Sequence, residues 1–150
     1  MSFWNGWRRS VSGCLAVTAR AAQDFLPTGS GFGTFAAIYR LFEPPALLRP
    51  FHANHAHNEP LELVLEGGLP ALLLILAVLG WLAARTVALW RAPPQDGGAL
   101  DLALARAATV AVWLLLAHSL VDYPLRTTAP MGLFALACGL AAAPATSRRG

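Results

Sequence analysis

Between Gly67 and Ala84 the chain runs for 18 residues (GGLPALLLILAVLGWLAA) without one charged side chain. A bilayer core about 30 Å thick is crossed by about 20 apolar residues in a helix. Inside lipid the backbone must satisfy its own polar groups, and a helix does this within one segment. The run therefore predicts a transmembrane helix over 69–90. Leu100 to Leu120, fully apolar from Val110 to Ala117, predicts a second span near 100–120. The uncharged run Thr127–Ser147, with Pro130 near its start, predicts a third near 127–146. The expected fold class is all-α: a polytopic integral membrane protein, with the lipid bilayer as its first partner. Residues 59–147 form its membrane part, and 1–58 form a mixed helix and loop segment outside it. Composition agrees, with 13% charged residues against about 25% in soluble domains.

The charges give orientation and exclude one class of partner. There are 11 basic residues, all arginine, and the net charge is +3. They are scattered and form no basic face, so nucleic acid is not the expected partner. Arg85, Arg91, Arg106, Arg148 and Arg149 fall on one side of the predicted spans, which should be cytoplasmic, as should the C-terminus. The histidine-rich segment before the first span and the turn 118–126 then share the opposite face. Arg126 stands on that face and needs another reason to be there. Cys14 and Cys138 read as small apolar residues, not a disulfide. The tryptophans read as interface or core residues. Met1–Arg9 followed by a short, partly polar stretch does not resemble a signal peptide.

Ahead of the first span, 10–26 predicts a short amphipathic helix, too polar to cross a bilayer. Pro27 and the glycines Gly29, Gly31 and Gly33 predict a flexible turn with exposed backbone N–H groups. Their G-x-G-x-G spacing, with no strand before it, argues against a dinucleotide fold. A short helix is expected over 35–42, then irregular chain through Pro44, Pro45 and Pro50. Asn58 is placed to cap the next helix, with Glu59 and Pro60 in its first turn. Gly67, Gly68 and Pro70 are expected to kink it.

The chemistry gathers at His52-Ala53-Asn54-His55-Ala56-His57-Asn58-Glu59-Pro60, which holds His52, His55 and His57 of the chain's 4 histidines. Histidine changes charge near neutral pH. Zinc is one use, but His-x-x-His-x-His lacks the common helical ligand spacing and has no thiolate beside it. No metal and no cofactor are expected. A structural or solvated loop is the plain alternative. His57 is best placed for general-base or substrate-binding work, because it immediately precedes the helix start, where phosphate is also attracted. Arg40, Arg49 and Arg126 are candidates for a phosphate clamp, against simple solvation. His118, Asp122 and Arg126 recur every four residues, although Pro124 argues against a regular helix there. Ionisable groups at a membrane are functional candidates, and an Asp122–Arg126 pair that anchors the turn is the plain reading. Glu62 and Glu66 share a helix face; they orient an arginine or a histidine, or they are solvated.

Three segments together resemble the C-terminal part of the bacterial O-antigen ligase and polymerase superfamily. They are Gly29-Ser-Gly-Phe-Gly-Thr-Phe35 with Tyr39-Arg40, then His55-Ala-His57-Asn58-Glu-Pro-Leu-Glu-Leu-Val-Leu-Glu-Gly67-Gly68, then His118-Ser-Leu-Val-Asp122-Tyr-Pro-Leu-Arg126. The family signature is His followed by Asn, Ser or Gln, nine residues, Gly, two residues, and Gly, Thr or Tyr. Here it reads His57-Asn58, nine residues, Gly68, Leu69-Pro70, with Ala71 at the last position. The resemblance covers about residues 25 to 145. It implies a polytopic inner-membrane glycosyltransferase acting at the periplasmic face. The donor would be an undecaprenyl-diphosphate-linked glycan, and the acceptor lipid A–core or a growing glycan. It implies His57 as the catalytic histidine, with Arg40, His55, Asn58 and Arg126 binding substrate. Gly29, Gly31, Gly33, Glu62, Glu66, Gly68, His118 and Asp122 support them. Family members have roughly a dozen spans, so the chain is expected to be the C-terminal portion of a longer enzyme whose N-terminal spans bind the donor. The competing expectation is a catalytically inactive membrane remnant or accessory subunit.

Overall fold

The computed structural model describes residues 3–43, 55–94 and 98–143. His52 and Arg49 lie outside them. The described residues are all helical: α1 (Phe3–Asp24), α2 (Phe35–Phe42), α3 (Glu59–Arg91), α4 (Ala99–His118), a 3-10 turn (Pro124–Arg126) and α5 (Thr128–Ala142). They fall into two compact units. The first is Met1–Ile75 with Ser119–Tyr123, and the second is Leu76–His118 with Pro124–Gly150. The sequence division at residue 58 falls inside the first unit, because the opening turns of α3 are tied to the loops that precede them.

In the first unit α1 packs on α2. Cys14, Val17, Thr18, Ala21 and Ala22 are buried, the i, i+3, i+4, i+7, i+8 stripe of an amphipathic helix. Ala16, Arg20, Gln23 and Asp24 lie on the exposed side. The helix begins at Phe3, ahead of the residue 10 expected from sequence. The stripe packs against Phe35, Tyr39, Ala56 and Leu65. Phe35 and Tyr39 stack at 5.6 Å, and Phe25 meets Phe42 edge-on at 6.3 Å. α2 ends where sequence placed it. Glu43 turns extended (φ −69°, ψ 119°), as the residue before a proline must.

α3 is broken at Gly68 (φ 59°, ψ −148°), the kink expected from Gly67, Gly68 and Pro70. The turn 27–31 fills the break. Ser30 N–H donates to Leu65 O (2.9 Å) and Gly31 N–H to Glu66 O (2.8 Å), while Leu69 N–H donates to Pro27 O (2.8 Å). Carbonyls and an N–H that a broken helix orphans are thereby satisfied. Pro70, at the start of the new segment, has no N–H to lose.

In the second unit α4 packs on α5. Leu82, Ala108, Val112, Ala137 and Ala141 form one cluster, and Leu89, Leu102 and Ala105 another. The small residues let helix backbones approach closely, as in membrane bundles. Two arginines close helix ends. Arg106 donates from Nε to Leu89 O (3.1 Å) and from Nη2 to Ala92 O (2.8 Å). Arg85 donates to Ala141 O and Ala143 O, both at 2.7 Å. The indole N–H groups of Trp90 and Trp113 reach Thr109 and Thr86 at 3.2 and 3.0 Å.

α3 and α4 are long and apolar enough to cross a membrane. Many of their exposed side chains are large and apolar, with Leu73, Leu74 and Leu114 each 66% exposed, the kind of surface that marks an interaction site. Three such helices were expected from sequence. α5 has 15 residues, about 22 Å at 1.5 Å per residue, less than the core of a bilayer. It stops because Ala143, preceding Pro144, turns out of the helix (φ −54°, ψ 134°).

Candidate functional site

The histidine loop docks on the start of α3. Asn58 is the cap expected from sequence. Its Oδ1 accepts from Leu61 N–H (2.9 Å), and its Nδ2 donates to Leu120 O (2.9 Å). Glu59 N–H donates to Ser119 O (2.9 Å). The loop and the segment 119–123 are thus joined within the first unit.

His57 is the only non-glycine residue with positive φ (52°) among those described. Its ring is 42% exposed, and Nδ1 lies 3.5 Å from Asp122 Oδ1. Tyr123 meets both imidazoles, its ring 4.8 Å from that of His55 and 5.3 Å from that of His57. Sequence reasoning missed Tyr123. Its signal was adjacency to Asp122 in a turn already marked as polar.

Glu62 is not solvated. It is 1% exposed and accepts from His55 Nδ1 (3.0 Å) and Ala56 N–H (2.8 Å). The sequence alternative that it orients a histidine holds, and the histidine is His55. Glu66 is equally buried and serves a different element. Its Oε1 accepts from Gly33 N–H (3.0 Å) and Phe35 N–H (3.1 Å). A carboxylate at a helix start satisfies orphan donors and complements the dipole. Glu66 thus caps α2, whose own Thr34 makes no side-chain cap.

This corrects the expectation of exposed N–H groups in the glycine turn. Gly29, Ser30, Gly31 and Gly33 donate to Phe25 O, Leu65 O, Glu66 O and Glu66 Oε1. With those donors occupied, the turn is a brace for α3 and not an anion cradle. Gly29 and Gly68 abut so closely that a Cβ on either would strike the other's backbone nitrogen.

The remaining candidates are carried by other elements. Arg40 is exposed in the last turn of α2, and no hydrogen bond or ion pair joins it to the histidines among the described residues. His118 ends α4 and Arg126 ends the 3-10 turn, both exposed and both in the second unit. Asp122 lies between those elements in the first unit, so the four-residue recurrence is not a helix face. Pro124 is the reason, as expected. No group of three metal-ligating side chains is arranged to hold an ion among the described residues.

Behind the loop, Cys14 Sγ contacts Ala56 O at 4.0 Å. Burial pushes the Cys14 thiol up, and burial also pushes up the Tyr39 phenol beside it. A raised thiol pKa leaves less thiolate at a given pH. Maleimide at about pH 8 will therefore label Cys14 in the folded chain roughly tenfold more slowly than in denaturant, read by peptide mass mapping. Equal rates would contradict the packing of α1 on the histidine loop.

No known protein family, curated protein or solved structure matches the chain.

Proposed function

We propose that the chain transfers a glycan from undecaprenyl diphosphate to an acceptor sugar, by lipid A–core ligation or polysaccharide polymerisation, as the C-terminal portion of a longer glycosyltransferase. The observation that carries this reading is the His57–Asp122 pair (3.5 Å), on a loop clamped to the start of an apolar helix. The sequence resemblance supplies the substrate class. An acceptor hydroxyl attacks the anomeric carbon of the donor. The new glycosidic C–O bond forms as the bond to the diphosphate breaks, and undecaprenyl diphosphate leaves. The hydroxyl proton passes to Nε2 of His57, whose Nδ1 faces Asp122. Arg40, in the same unit, is the cation this reading assigns to the leaving diphosphate; Arg126 is assigned by the sequence resemblance alone.

The test is transfer of a labelled glycan from undecaprenyl diphosphate by membranes carrying the chain, alone and with the N-terminal spans of a ligase of the resembled family supplied in trans. His57→Ala is expected to abolish transfer while expression persists. Equal transfer by both overturns the reading, and transfer by neither favours an inactive remnant or accessory subunit.

The same proposal includes α5 as a third span, placement in the bacterial inner membrane, a periplasmic histidine loop and a cytoplasmic C-terminus. The arginines near the helix ends support this orientation. Reporter fusions at Gln95 and Tyr123 should read cytoplasm and periplasm respectively. The reverse result breaks the topology.

A further inference from the structure

We propose that Glu62 is the positioning residue of the histidine loop: its buried carboxylate fixes His55 and Ala56 so that His57 reaches Asp122 in a left-handed backbone conformation. Carboxylates are almost never fully buried unless they are paired. Glu62 is 1% exposed, and both its oxygens are engaged, Oε1 by His55 Nδ1 (3.0 Å) and Oε2 by Ala56 N–H (2.8 Å). The chain is pinned again at Ala56, which is wholly buried and whose carbonyl meets the Cys14 thiol.

The next anchor comes only two residues later. Asn58 holds Leu61 N–H with Oδ1 and Leu120 O with Nδ2. His57 is the single residue between the two anchors, and it carries the positive φ of 52°. Strained backbone persists only where its surroundings over-determine it, and these two anchors are those surroundings. Their outcome is a ring set against Asp122 (3.5 Å) and Tyr123 (5.3 Å). Glu62 N–H donates to Asn58 O (3.1 Å) in the first backbone bond of the helix, which sets the clamp one turn from the cap. One face of one helical turn thus carries the cap and the clamp.

That His57 is the residue worth positioning rests on the glycosyltransferase reading; the clamp itself does not. The experiment therefore needs no turnover. Purified chain in nanodiscs is treated with diethyl pyrocarbonate, and carbethoxylation of His57 is followed by mass mapping against exposed His118. Asp122 Oδ1 lies 3.5 Å from Nδ1, so its charge acts on the reactivity of the ring. Asp122→Asn should therefore change the rate of His57 modification by roughly threefold in the parent chain. In Glu62→Ala the response to Asp122→Asn should vanish. In Glu62→Gln, which keeps the side-chain volume but cannot accept from both N–H groups, it should fall to about half or less. Glu62→Gln decides the matter if Glu62→Ala does not fold. A full response in either Glu62 variant, or none in the parent chain, overturns the proposal. Transfer is scored separately. A His57→Ala chain that still transfers glycan removes the functional reading and leaves the coupling result standing.

Discussion

Gly68→Ala is expected to unfold at a clearly lower denaturant concentration than the parent chain, with a loss of about 3 kcal/mol or more. Two effects add. The backbone there (φ 59°, ψ −148°) lies in a region that is essentially reserved for glycine, at a cost of about 1–3 kcal/mol for any other residue. A Cβ would also enter the space of the Pro27 carbonyl and the Gly29 nitrogen, and backbone atoms cannot yield as a flexible side chain can. Overpacking of that kind costs about 1–3 kcal/mol. Gly29→Ala meets the same wall from the other side, through Glu66 O and Gly68 N. The two substitutions spoil one close approach, so the double variant should lose much less than the sum. Gly80→Ala is the control. No atom lies within 4 Å of a Cβ there, and helix propensity alone favours alanine by about 1 kcal/mol. Unfolding in detergent followed by circular dichroism reads the parent and all four variants. A Gly68→Ala chain within about 0.5 kcal/mol of the parent would mean that the turn 27–31 does not fill the break.

That same contact shows where the sequence was legible and where it was not. The helix periods, the Asn58 cap, the end of α2 before Pro44 and the kink at 67–70 depend on residues adjacent in sequence, so local rules reach them. What fills the kink does not. Nothing in Pro27–Gly33 states that its N–H groups are spent on Leu65 and Glu66, more than thirty residues away. Alternating glycines suit an anion cradle and a helix brace equally, and only the partner decides. Glu62 and Glu66 of α3 were equivalent by spacing, yet one clamps the histidine loop and the other caps α2. The arginines at 85 and 106 were legible as a topology signal, while their second use, on the carbonyls of Ala141 and Leu89, depends on which helices are neighbours. The third apolar helix was expected to run to 146, and the uncharged run does not reveal that Ala143 leaves the helix ahead of Pro144.

His57 is expected to separate fold from chemistry. Both His57→Ala and His57→Gly remove the imidazole, and under the proposed glycan transfer each should lower the rate by about a hundredfold or more, the usual contribution of a positioned general base. Their stabilities should differ. At φ 52° a Cβ is crowded by its own backbone, at a cost of about 1 kcal/mol that glycine escapes. Both variants lose the same contacts with Asp122 and Tyr123, so the comparison isolates the backbone term. His57→Gly should be the more stable of the two by about 1 kcal/mol, read by the same unfolding assay. Added imidazole should restore part of the transfer in His57→Gly, where the ring's place is empty and the loop is intact. Strain of this kind is kept where a side chain must be aimed and is otherwise lost. If His57→Ala is as stable as His57→Gly, the left-handed turn is not strained. If the variants also retain transfer, the ring that the loop is built to present has no part in the reaction.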